Sequence, residues 1–177
     1  MNRVTSRAAR ALLGLLLLLG VGAPSFAQSF PKPNNTRVVD AANLIPADQE
    51  SGLDQKLAAF EKTTGRQFVV ATIPDLEGYP IEDYGYRLGR AWGIGSKDKD
   101  DGALLIVAPK DRKVRIEVGY GLEPYLTDAY SSVIINTQIT PRFKAGDFPG
   151  GINAGADAVM EQLQLPPEEA AARLKAV

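Results

Sequence analysis

"DDGALLIVAPKDRKVRIEVGYGLE", Asp100 to Glu123, decides the fold. Gly102 to Ala108 carries no charged residue, the pattern of a strand covered on both faces and therefore central in its sheet. Lys113 to Val118 alternates Val114, Ile116 and Val118 with Arg115 and Glu117, the period-two pattern of a strand with one solvated face. "PKDRK" between them reads as a tight turn, so the two strands form an antiparallel hairpin. A turn centred on Asp111 sets Ala108 against Val114, Leu104 against Val118 and Asp101 opposite Gly121.

Working outward, "IPADQESGLDQKLAAFEKTTG" predicts a helix: Pro46 suits its first turn, Leu53, Leu57 and Phe60 recur at helical spacing, and Gly65 closes it. "RQFVVATI" predicts a strand ending before Pro74. "IEDYGYRLGRAWGIG" puts Ile81, Tyr84, Leu88 and Trp92 on one helical stripe. After the hairpin, "TDAYSSVIINTQITPRF" opens with Thr127 as N-cap and carries Val133, Ile134 and Ile139 inward, and "GDFPGGINAGADAVMEQLQL" supplies a last helix before Pro166. Helix, strand, helix, strand, strand, helix, helix predicts an α/β fold. Its expected form is a three-layer α/β/α sandwich whose mixed sheet joins a parallel, right-handed crossover to an antiparallel hairpin.

The ends read differently. Arg3, Arg7 and Arg10 precede the apolar run "ALLGLLLLLGVGA", and Ser25 and Ala27 supply small residues after it. Residues 1–27 are therefore expected to be a signal peptide cleaved after Ala27, which sends the protein to the periplasm or outside the cell; an uncleaved N-terminal anchor is the second reading. Residues 28–36, rich in Pro and Asn, are expected to be a flexible leader, residues 37–165 the folded domain, and residues 166–177 a charged, Ala-rich tail extending as a free helix. No later apolar run is long enough for a transmembrane helix in the mature chain. Without the three leader arginines, 17 of the 20 basic residues face 21 acidic ones, a balance that argues against nucleic acid as a partner.

The chain has no cysteine and no histidine. Disulfides, thiolate nucleophiles, Ser/His/Asp triads and histidine zinc sites are thereby excluded, and a metal site has to be built from oxygen, which favours calcium, magnesium or manganese. No phosphate-loop or dinucleotide fingerprint is present, and "DKDDG" is followed by a strand where an EF-hand needs a helix.

The hairpin carries Asp98, Asp100 and Asp101 to the same end of the sheet as "GYGLEPYLTD", near Glu123 and Asp128. Two readings stay open on the residues alone. The acids form a solvated loop balanced by Lys97 and Lys99, with Asp128 stabilising a helix N-terminus, or they surround a hard divalent cation that Gly102, Gly119 and Gly121 leave room for backbone carbonyls to join. Beyond Lys97 and Lys99, no cationic clamp is legible there. Tyr79, Tyr84, Tyr86, Trp92 and Tyr120 read as core or rim aromatics.

Three stretches, "VVDAANLIPADQESGLDQKLAAFEKTTGRQFVVATIPDLEG", "DDGALLIVAPKDRKVRIEVGYGLEPYLTDA" and "GGINAGADAVMEQL", resemble the TPM domain family over about Arg37 to Leu163. The resemblance implies an exported or membrane-attached bacterial protein, related to thylakoid-lumen photosystem repair proteins. It also implies an α/β/α sandwich and calcium or magnesium in an acidic crevice. Activity in the family, acid phosphatase or nucleotide hydrolysis, is not uniform. Carried over by position, Asp100, Asp101 and Asp128 are the expected metal ligands with Glu123 beside them, and Asp40 matches the family's early "VVD". Many bacterial relatives add a membrane helix and a glycine-rich tail; residues 166–177 read as neither, so a membrane-anchored role is not the expectation. Two functions are therefore expected. One is a metal-dependent phosphatase or nucleotide hydrolase acting weakly on a phosphate-containing small molecule, with Asp101 or Glu123 taking the proton of the attacking water. The other is a non-catalytic calcium-binding accessory module that docks on an envelope or membrane protein.

Overall fold

In the computed structural model, which describes residues 29–176, β3 (Gly102–Ala108) is buried along its whole length. Its side chains alternate between two cores: Ala103, Leu105 and Val107 enter one, Leu104, Ile106 and Ala108 the other. Both faces of the strand therefore need a covering layer. α1 (Ala47–Thr64) brings Leu53, Leu57 and Phe60 to the first face, and α5 (Phe148–Gln164) adds Ile152, Val159 and Leu163. α2 (Ile81–Trp92) covers the second with Ile81, Tyr84 and Leu88. Each such leucine or isoleucine, taken fully out of water, contributes roughly 1.5–3 kcal/mol.

The sheet order is β1-β2-β3-β4. β2 (Gln67–Thr72) pairs with β3 in parallel, and β4 (Lys113–Val118) closes the far edge antiparallel to β3. This is the expected α/β/α sandwich with one addition: β1 (Val38–Asp40) pairs with β2 in parallel at the other edge. Three residues are too few for a periodic signal, which is why "VVD" did not read as a strand.

The hairpin register differs from the expected one by a single residue. Ala108 pairs with Lys113, Leu104 with Glu117 and Ala103 with Val118, because the turn is closed by Pro109 to Arg112 alone, with Arg112 at φ 54° and its N–H donating to Pro109 O. Shifting an antiparallel register by one residue exchanges which cross-strand side chains share a face. Arg115 and Glu117 therefore stand on the same face as Leu104 and Ile106, half-covered by α2.

The segment after β4 departs from a plain helix. α3 (Asp128–Ile134) is capped as expected, with Thr127 Oγ1 accepting from the Tyr130 N–H, but it runs into a π-helical stretch (Ile135–Ile139) before α4 (Thr140–Lys144). Pro141 has no N–H to offer a carbonyl one turn back, and its ring crowds that carbonyl, so the ladder widens. The wider turn lets Ile134 and Ile139, five residues apart, both enter the core, while Val133 is only half-buried. Residues 29–31 lie along α2: Phe30 meets Tyr84 edge-on at 5.2 Å, and Trp92 Nε1 donates to Pro31 O. The tail forms α6 (Pro167–Lys175), whose Ala170 is fully buried and whose Arg173 pairs with Glu161, so it is not a free helix. The segment read as a signal peptide lies outside the described residues.

Candidate functional site

Loop 93–101 and the segment from Gly119 to Asp128 meet at the end of the sheet where β3 begins and β4 ends. Backbone contacts join them: Gly119 N–H donates to Gly102 O at 2.8 Å and Gly121 N–H to Asp100 O at 3.1 Å. The glycines permit this approach, since a Cβ on Gly119 would lie 2.1 Å from Asp100 O and one on Gly121 1.9 Å from Lys99 O. Asp100 itself sits at φ 48°, a left-handed conformation that a short polar side chain tolerates. The meeting of the two loops was legible in the sequence. The glycines, however, serve chain-to-chain packing.

The acids divide into two groups. Asp101 turns back into its own loop, where its Oδ1 accepts from Ser96 N at 2.8 Å and Ser96 Oγ at 2.7 Å. Partial burial opposes its charge, but those two donors and nearby Lys99 outweigh it and hold the carboxyl below the usual range. Asp100, Glu123 and Asp128 are exposed and line a cavity of about 1200 Å³, whose wall Asp101 does not reach. Asp40 is at the other end of the sheet, paired through Thr72 with the Val107 end of β3. Its carboxylate accepts from the N–H groups of Leu44 and Ile45 and from Thr72 Oγ1, a structural clamp.

Arg115 is the residue that sequence reasoning missed. It lines the cavity, its Nε 2.6 Å from Glu117 Oε2 and its Nη2 3.8 Å from Asp128 Oδ1. A guanidinium thus stands among the carboxylates, and Arg90 from α2 lines the same cavity. The available signal was the same-face Arg115 and Glu117 pair on an alternating strand, but only the packing of α2 shows that this face borders a cavity.

Among the described residues, no three acidic side chains gather closely enough to hold a metal ion. Asp100, Glu123 and Asp128 are the carboxylates nearest to such a donor set, oxygen groups of the type a hard cation takes, lining the same cavity without gathering. Among the described residues, no helix is long and apolar enough to cross a membrane.

A family model for the TPM domain matches residues 38–162. The N-terminal domain of a protein from P. gingivalis, solved by NMR, is 36% identical with a TM-score of 0.68, over 72% of this chain and 82% of that one. The BA42 protein from the psychrophilic bacterium Bizionia argentinensis (19% identity, TM-score 0.60, 72% and 94% covered) shares the fold. So does the N-terminal domain of the cg2496 protein from Corynebacterium glutamicum (17%, 0.57, 79% and 89%). No curated protein matches this chain.

Proposed function

This chain belongs to the TPM domain family, and from that premise we propose that the cavity beside β4 is a divalent-cation site, for calcium or magnesium, in an exported protein. The observation that carries the reading is that Asp100, Glu123 and Asp128 all line this cavity, with Arg115 offsetting part of the Asp128 charge. Asp101 supports the site by fixing the loop that carries Asp100.

Weak hydrolysis of a phosphate-containing small molecule is the secondary activity we assign to the same cavity. A cation held by Asp100, Glu123 and Asp128 would supply Lewis-acid polarisation of a phosphoryl oxygen and a more acidic adjacent water. Arg90 and Arg115, which line the same cavity, would offset phosphate charge. Of the two carboxylates expected to take a proton, Glu123 is the better placed, because it is exposed on the cavity while Asp101 is held at low basicity by Ser96.

A non-catalytic calcium-binding module that docks on an envelope or membrane protein is the second reading. The exposure of Asp100, Glu123 and Asp128 favours it, since catalysis needs a preorganised, water-excluding site. Thermal unfolding with added calcium or magnesium tests the shared claim: stability rises by about 2.7 kcal/mol when free ion is a hundredfold above its Kd. Glu123→Gln combined with Asp128→Asn abolishes that gain, and an unchanged gain places the cation elsewhere. Phosphate release from highly purified protein, lost in chelator and in the same double variant, separates the enzyme from the module.

A further inference from the structure

α2 turns Tyr86, Gly89 and Arg90 toward the cavity, the i, i+3, i+4 face of one helix, and its C-cap Gly93 also lines it. Tyr86 and Tyr120 are the large apolar side chains left exposed among the described residues, at 53% and 78%, and both line this cavity, Tyr120 from the segment after β4. The guanidinium carbon of Arg90 lies 5.6 Å from the centre of the Tyr86 ring. Lys97 adds a further positive charge from the loop. The space, about 1200 Å³, is far larger than a cation needs and is ample for a small organic ligand.

Two glycines of α2 have different reasons to be glycine. A Cβ on Gly85 would lie 2.7 Å from Ile106 Cδ1, so close packing on the sheet demands it. A Cβ on Gly89 would have nothing within 4 Å. Glycine inside a helix is less stable than alanine, so Gly89 weakens α2 without any packing return within the protein. It leaves bare backbone on the cavity lining beside the Tyr86 ring and the Arg90 guanidinium, which meet through Arg90 Nη1 donating to Tyr86 Oη at 3.3 Å.

We propose that this face of α2 is a subsite for the flat ring of an anionic small molecule. The ring lies on the Gly89 backbone beside Tyr86, and the anionic group is held by Arg90 and Lys97. The identification of that group as a phosphate rests on the function proposed above; the ring subsite follows from α2 itself.

Calorimetric titration of the full mature chain in magnesium buffer, with phenyl phosphate and with inorganic phosphate, tests the proposal. Phenyl phosphate is expected to bind roughly two- to tenfold more tightly, the size of one aromatic contact. Tyr86→Ala and Gly89→Ala should each erase that preference. Gly89→Ala should also raise the melting temperature, which shows that the loss is not unfolding, and should leave the magnesium-induced thermal shift intact. Gly52→Ala, an open helical position in α1 away from the cavity, should raise the melting temperature and keep the preference. Equal binding of the two probes by the parent, or an undiminished preference in Gly89→Ala, overturns the subsite. A missing magnesium shift in the parent overturns the cation site instead, so the two failures are distinguishable.

Discussion

Ser96 donates twice to one oxygen of Asp101, through its backbone N–H and through its hydroxyl. That pair holds the loop that carries Asp100 and lowers the basicity of Asp101. Because the folded-state pKa lies below the ordinary value, the associated stability is present above the usual aspartate range and is lost as pH falls through the lowered value. Ser96→Ala should raise the Asp101 pKa toward its ordinary value in a carboxyl-carbon NMR titration and reduce the acid-side loss of stability. An unmoved Asp101 resonance would show that other groups set its charge.

Gly121 is required for space, since its Cβ would lie 1.9 Å from a backbone oxygen that cannot rotate away. Gly121→Ala should destabilise the fold by about 3 kcal/mol, the upper range for overpacking. It should also weaken the cation-induced thermal shift, because the loop bearing Asp100 is displaced. Urea unfolding measures the first effect and calcium titration the second.

Arg115 pairs with the partly exposed Glu117 and reaches toward Asp128, so it would compete with the proposed cation for Asp128. Arg115→Met should destabilise the apoprotein by roughly 1 kcal/mol, at the upper end for a pair of this exposure, and should bind calcium more tightly. Weaker calcium binding would instead make Arg115 a support for the cation site.

Asp40 holds two N–H groups and a hydroxyl at the far end of the sheet. Asp40→Ala should cost about 2–3 kcal/mol, as hydrogen bonds to a charged group do, while calcium affinity stays at the parent value. A calcium affinity that falls with this substitution would couple the two ends of the sheet.

Tyr84 is buried, and burial first, then the charges of Glu77 and Asp75, pushes its phenol up to about 12. A folded-state pKa above the unfolded value means full stability below about pH 10 and progressive loss as pH rises from there through 12. Tyr84→Phe should flatten that alkaline loss while changing neutral-pH stability by less than about 1.5 kcal/mol. An alkaline slope equal to the parent's would assign it to another tyrosine.

The sequence by itself determined the layers: an uninterrupted apolar β3 needs cover on both faces, and the alternating β4 and the stripes of α1 and α2 each have one apolar face to bury. It also carried Asp100, Glu123 and Asp128 to one end of the sheet, because a hairpin makes distant residues neighbours by counting. Tertiary structure decided the rest. One residue fewer in the turn reassigned the faces of β4, a choice made by the backbone of Arg112 that no side-chain pattern records. The same shift set Arg115 beside Asp128, while Ser96 drew Asp101 away from the cavity. Periodicity reports which side of an element meets apolar neighbours, but the partner of a particular charge depends on register and loop closure, settled only when both chain segments pack together.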